Sequence, residues 1–174
     1  VDYFDPSTTL QTDEDKLLSD WKLTKEKKII LMPGRLTAWK GQELFIEALS
    51  LVNKELGYEA FNAIILGSDQ GRDIYKKKLK RLVEQHRLTS QLKFIDHCKK
   101  MPTAYKISDI IVSASVEAEA FGRVAVEAQS MEKPIIASNI GGSNETVENN
   151  KTGFLFEAGN AVSLSKKIIE VLNL

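Results

Sequence analysis

Two glutamates, Glu119 and Glu127, stand eight positions apart around a Phe121-Gly122 step. Two cations, Arg35 and Lys40, stand five apart in the loop Gly34-Arg35-Leu36-Thr37-Ala38-Trp39-Lys40-Gly41. A guanidinium and an ammonium fixed in one short loop stabilise negative charge building on phosphate oxygens. Phe121 and Gly122 open a helix-like run, where free N–H groups and the helix dipole attract an anion. Glycine lets the backbone come close to such a ligand. A carboxylate pair also suits glycoside hydrolysis, but that chemistry needs the carboxyl groups roughly 5 to 9.5 Å apart. Eight helical steps rise about 12 Å, so this pair is not expected to flank one bond. His97 and Cys98 are too sparse for zinc, which takes four well-spaced ligands. Solvated side chains are the plain alternative for Arg35, Lys40 and Glu127.

The elements that must position these groups are legible from periodicity. Strands are expected at 28–32, 61–66, 92–95, 110–114 and 135–137. Helices are expected at 9–24, 42–56, 72–87, 101–107, 122–131 and 160–172. Leu44, Phe45, Ala48, Leu49, Val52 and Leu56 form the stripe of the second helix, and Gly57 ends it. The third helix offers Ile74, Leu79, Leu82, Val83 and His86, and the last one Val162, Leu164, Ile168, Val171 and Leu172. From residue 28 onward the order βαβαβαβαβα implies a parallel sheet with helices on both faces, a Rossmann-like three-layer α/β sandwich. In such a sheet, loops after the carboxyl ends of strands line the ligand crevice. Arg35, Lys40, Glu119, Phe121 and Gly122 all fall in loops of that kind. Gly141-Gly142-Ser143 is a strand-to-helix turn whose glycines serve dihedrals alone on the plain reading.

Composition narrows the classes. The chain has 174 residues, 43% hydrophobic and 28% charged, which suits one folded domain. Its 24 basic and 24 acidic side chains cancel, so no general attraction to nucleic acid or an anionic membrane follows. The lone Cys98 cannot form an internal disulfide, which points to a reducing compartment. No apolar run approaches the length of a spanning helix. The cluster Lys76-Lys77-Lys78-Leu79-Lys80-Arg81 reads as the wet face of a helix, with contact to anionic lipid headgroups as the alternative. Dinucleotide-binding and P-loop glycine motifs are missing from the sequence.

The ordered set Glu119, Phe121, Gly122, Glu127, Pro134, Ile136, Ala137, Ser138, Gly141, Gly142, Glu145, Gly153, Phe154 and Leu155 resembles the donor-binding half of retaining GT-B glycosyltransferases. The likeness is to glycosyltransferase family four (group 1) in particular, and with the Arg35–Lys40 loop it covers nearly the whole chain. It implies that residues 1–8 are an interdomain linker and residues 9–174 a nucleotide-sugar (donor) binding domain, the N-terminal acceptor domain being absent. It also implies that Gly34, Arg35 and Lys40 grip a diphosphate, that backbone groups at His97 and Cys98 hold the nucleobase, and that Phe121, Gly122 and Arg123 support phosphate or sugar oxygens. Glu127 would take the ribose hydroxyls, and Glu119 would lie beside the reacting sugar. The catalytic set is thus Glu119, Arg35 and Lys40, with Gly142 bordering the donor pocket. Glu119 is open to three roles: nucleophile, charge stabiliser or sugar contact. Front-side displacement is preferred because it needs no protein base. At Lys100 related sequences often carry an acid.

The implied function is transfer of a hexose from a nucleotide sugar to a glycan or glycolipid acceptor, with bacterial lipopolysaccharide or other envelope polysaccharide as the setting. Neither cofactor nor metal is implied, since the two cations neutralise the leaving group. No nucleic-acid partner is expected. The location is cytoplasmic, with peripheral contact at the inner face of the membrane for the full-length protein, and the piece alone is inactive. A nucleotide-sugar 2-epimerase of the same architecture and a non-catalytic nucleotide-binding module stay as alternatives.

Overall fold

A computed structural model describes residues 2–174; Val1, in the expected linker, lies outside the described residues. The first described segment leads into a short 3-10 turn, Pro6–Thr8, started by Asp5, whose carboxylate accepts from the Ser7 amide at 2.8 Å. Helices and strands then alternate: α1 (Gln11–Asp20), β1 (Lys28–Pro33), α2 (Gln42–Leu56), β2 (Phe61–Leu66), α3 (Asp73–Gln85), β3 (Leu92–Ile95) and α4 (Met101–Ile107). They continue through β4 (Ile110–Ser113), α5 (Arg123–Ser130), β5 (Ile135–Ser138), α6 (Ser143–Thr146), β6 (Phe154–Phe156) and α7 (Ala161–Leu172).

All five strand pairings are parallel, in the order β3-β2-β1-β4-β5-β6. Strands buried on both faces carry apolar side chains at most positions, and alternate residues feed opposite layers. Ile29 and Leu31 of β1 join Leu18 of α1, Tyr105 and Ile107 of α4, and Ala125 and Ala128 of α5. Ile30 and Met32 join Phe45 and Leu49 of α2, Leu79 and Val83 of α3, and Leu164 and Ile168 of α7. Each fully buried Ile or Leu contributes about 1.5 to 3 kcal/mol. This is the expected three-layer sandwich.

Chain order reverses beside β1. After β1 the chain works outward through β2 and β3, then returns so that β4 lies on the other flank of β1, with Leu31 level with both Ile64 and Ile111. At such a switch point the loops leaving the two central strands part in opposite directions and open a crevice. The loop after β1 carries Arg35 and Lys40, and the loop after β4 carries Glu119 and Gly122. The crevice therefore receives all four.

Several expectations need correction. A sixth strand, β6, pairs Leu155 with Ala137 of β5, and three residues are too few to show a period. α1 stops at Asp20 rather than at residue 24, because Trp21 caps it and Lys22 turns into the left-handed region at φ 53°. Ile74 is 84% exposed: five residues before Leu79, it lies on the opposite side of α3. Val162, two residues before Leu164, faces out in the same way. Among the described residues no helix is long and apolar enough to cross a membrane.

Candidate functional site

The crevice is a cavity of about 590 Å³ whose walls include Gly34, Arg35, Lys40, Glu119, Phe121, Gly122, Arg123 and Glu127. Its first wall is the β1 loop, tied to its neighbours by backbone. The Gly34 amide donates to the Leu66 carbonyl at 2.9 Å and the Leu36 amide to Ser68 at 3.0 Å. Gln42, the first residue of α2 and 1% exposed, donates through Nε2 to the Arg35 carbonyl at 2.8 Å. The Tyr75 hydroxyl donates in turn to Gln42 Oε1 at 3.3 Å. Arg35 is thus fixed at its backbone, while its guanidinium is exposed and has no ion-pair partner among the described residues.

Lys40 ends a 3-10 turn, Ala38–Lys40, and the chain reverses at Gly41 with φ +81°. A Cβ at Gly41 would stand 1.9 Å from the Ala114 carbonyl oxygen, so only glycine lets the two loops touch. That contact delivers Lys40 across the crevice, where its ammonium pairs with the Glu119 carboxylate and lies 4.5 Å from the centre of the Trp39 ring. The paired side chains are only 18% and 11% exposed, so solvent screens them weakly.

The second wall is the loop after β4. Gly142, in the turn before α6, donates its amide to the Glu119 carbonyl at 2.7 Å. A Cβ there would meet the Phe121 backbone at 2.6 to 2.8 Å. Gly142 therefore braces this loop from behind and does not line the cavity. Gly122 caps α5 with φ +70° and supplies no side-chain acceptor, whereas α7 is capped by the Asn160 side chain. The leading amides of α5 keep their donors free of a side-chain cap, in the arrangement that receives anions.

Glu127 lies further along α5. Its Oε2 accepts from the hydroxyl of Tyr105, at 2.7 Å. Tyr105 is 0% exposed, and burial first, then the Glu127 charge, pushes its phenol well above the ordinary range. Sequence reasoning missed this residue. A tyrosine inside an apolar helix signals a buried hydroxyl in need of a partner, but which partner is decided by packing.

His97 and Cys98 stand elsewhere. With Trp21, which caps α1, and Thr103 of α4 they line a neighbouring cavity of about 570 Å³. Burial pushes the Cys98 thiol up. Lys100 Nζ meets Asp13 of α1 at 2.7 Å, so a carboxylate from another helix stands beside this lysine. On α3, Lys77 pairs with Asp73 at 2.7 Å and Lys78 with Glu43 at 3.0 Å, while Lys80 and Arg81 are exposed. Among the described residues no three His, Cys, Asp or Glu side chains are grouped to hold a metal ion.

Residues 13–174 match the sequence profile of the family described as Glycosyl transferases group 1. The chain belongs to this family. Its fold is the C-terminal half of the GT-B architecture. Among solved structures, a glycosyltransferase from Rickettsia africae superposes with a TM-score of 0.93 at 37% identity, over 99% of this chain and 44% of that one. Anabaena HepE, solved in complex with UDP and glucose, superposes with a TM-score of 0.85 at 27% identity, again over 99% and 44%. The capsular polysaccharide biosynthesis glycosyltransferase CapM of Staphylococcus aureus is 27% identical over 164 residues, 94% of this chain and 42% of CapM. The chain spans less than half the length of these relatives.

Proposed function

We propose that this chain is the donor-binding half of a retaining glycosyltransferase that takes a hexose from a nucleoside diphosphate. The reading is carried by one observation: Arg35, Lys40, Glu119 and Glu127 meet in one cavity at the switch point of the sheet. The complex of HepE with UDP and glucose, in a chain of the same fold, supports a nucleotide sugar as donor. In this reading Arg35 and Lys40 take the charge of the diphosphate, and the α5 amides hold its oxygens. Glu127 takes the ribose, and Glu119 lies at the sugar. The C1–O bond to phosphate breaks while a bond from C1 to the acceptor oxygen forms on the same face. The acceptor proton passes to the departing phosphate oxygen, so no protein base is required. Preorganised cations and amides act where charge develops, which is where catalytic stabilisation is largest.

The acceptor half would be a second domain joined through residues 1–8. Transfer needs both partners held in line, so the donor half alone binds nucleotide without turnover. The relation to CapM, named for capsular polysaccharide biosynthesis, supports an envelope polysaccharide as the product. The test is to incubate full-length protein with a panel of nucleoside-diphosphate hexoses and a lipid-linked glycan acceptor, following nucleotide release and the anomeric proton of the product. Retained configuration is expected. An inverted linkage, or no nucleotide released from any donor, would sink the proposal, and epimer formed without acceptor would point to a 2-epimerase.

A further inference from the structure

Glu127 is reached from two sides. One side is the crevice; the other is the core beneath α5, from which the Tyr105 hydroxyl donates to Oε2 at 2.7 Å. Oε1 has no hydrogen-bond partner among the described residues and is free to accept from a ligand. The Tyr105 ring cannot swing away. It is packed in the layer that holds Ala104, Ile107, Ala125 and Ala128, and Phe4 closes on it edge-on, with centroids 5.4 Å apart and planes at 72°. A glutamate on a helix still chooses among several combinations of χ1 and χ2 wells, and a donor rigid in the core selects among them before any ligand arrives.

We propose that Tyr105 is a positioning residue for nucleotide recognition: its hydroxyl locks Glu127 in the rotamer that turns Oε1 toward the ribose hydroxyls. The inference rests on the reading that Glu127 takes the ribose. The roles of ring and hydroxyl separate cleanly. Packing uses the ring, which phenylalanine reproduces; positioning uses only the oxygen, which it lacks. Tyr105→Phe therefore keeps the fold and frees Glu127 to leave the ribose.

The test is calorimetric titration of the unaltered protein, Tyr105→Phe, Glu127→Ala and the double variant with UDP, GDP and ADP, each beside its 2′-deoxy counterpart. The readout is the ratio of the two affinities, with melting temperature as the check on folding. The unaltered protein is expected to favour the ribose form by about tenfold, as loss of one hydrogen bond to a charged group implies, and Tyr105→Phe to lower this to about threefold. Glu127→Ala abolishes the preference, and the double variant matches it. A merely structural Tyr105 would weaken both nucleotides equally, and an unchanged ratio in Tyr105→Phe overturns the inference. No preference in the unaltered protein, with diphosphate still bound, overturns the reading of Glu127 and this inference with it, while leaving the phosphate grip standing.

Discussion

Lys40 and Glu119, 79 positions apart in the sequence, are ion-paired across the mouth of the crevice between β1 and β4. The pair is more than a surface contact, because both side chains are largely shielded and Gly41 holds the two loops in register. It also sets a competition. A diphosphate that engages Lys40 must share its ammonium with a carboxylate already in place, so binding of the nucleotide and the freedom of Glu119 are linked.

Removal of the two partners should act in opposite directions on diphosphate affinity. Lys40→Ala removes a charged donor, and a loss of about 10- to 100-fold is expected, equivalent to roughly 1.5 to 3 kcal/mol. Glu119→Gln releases Lys40 from its competitor, so diphosphate is expected to bind more tightly at low ionic strength while sugar transfer by the full-length protein falls. Titration calorimetry at two salt concentrations separates these outcomes. Weaker binding in Glu119→Gln would contradict the competition.

The bracing role of Gly142 is testable against another glycine. Gly142 has ordinary helical dihedrals, φ -60°, so alanine there is strained only by the Phe121 backbone within 2.8 Å. Gly159 has the reverse properties, φ +75° and nothing within 4 Å of an added Cβ. Gly159→Ala is expected to cost about 1 to 2 kcal/mol of stability and leave nucleotide binding alone. Gly142→Ala moves the loop carrying Glu119 and Phe121, so both stability and nucleotide affinity drop. Thermal melts with and without UDP, GDP or ADP distinguish the two.

What could be read from the sequence follows from where the information lies. β2, β3, α2 and α4 fall where the sequence places them, because each is bounded on at least one side by a glycine or a charged residue: Gly67, Asp96, Gly41 with Gly57, and Lys100. β6 escaped because a strand of three residues is defined by its partner, here β5, and not by its own pattern. The loops bearing Arg35, Lys40, Glu119 and Gly122 were legible as ligand-facing because each follows a readable strand. That the two loops oppose each other was not legible, since it depends on β4 docking beside β1 instead of beside β3. The same holds for His97 and Cys98. Sequence places them after β3, but the packing of α4 against α1 decides which cavity they face. Tyr105 and Glu127 meet only because α4 and α5 share a layer.

Cys98 offers a check on that placement. Thiolate is the reactive form, and burial holds this half-buried thiol protonated above its usual value near 9. Alkylation by iodoacetamide at pH 7.5 is expected to be slower than for a free cysteine, and to accelerate in denaturant. Cys98→Ser is expected to leave diphosphate affinity unchanged, because the side chain lies outside the cavity of Arg35 and Lys40. A large loss in that variant would place the nucleotide across both cavities.

The buried Tyr105 phenol makes stability depend on alkaline pH in a predictable direction. In the unfolded chain a tyrosine loses its proton near 10, whereas in the fold burial and the neighbouring Glu127 charge keep Tyr105 protonated well above that point. The folded state thus binds one more proton than the unfolded state once pH passes 10. The stabilising contribution is complete below the unfolded value and is lost progressively as pH rises toward the folded one, with a slope of about 1.4 kcal/mol per pH unit for a single group. Tyr75, raised chiefly by burial, adds a similar dependence, so the total alone is not diagnostic. Subtracting the curve of Tyr105→Phe isolates the term. Denaturant unfolding at pH 9, 10, 10.5 and 11 is expected to show the variant losing stability less steeply than the unaltered protein above pH 10. Parallel curves would mean that the phenol ionises in the fold as readily as outside it, and that its bond to Glu127 does not persist in solution.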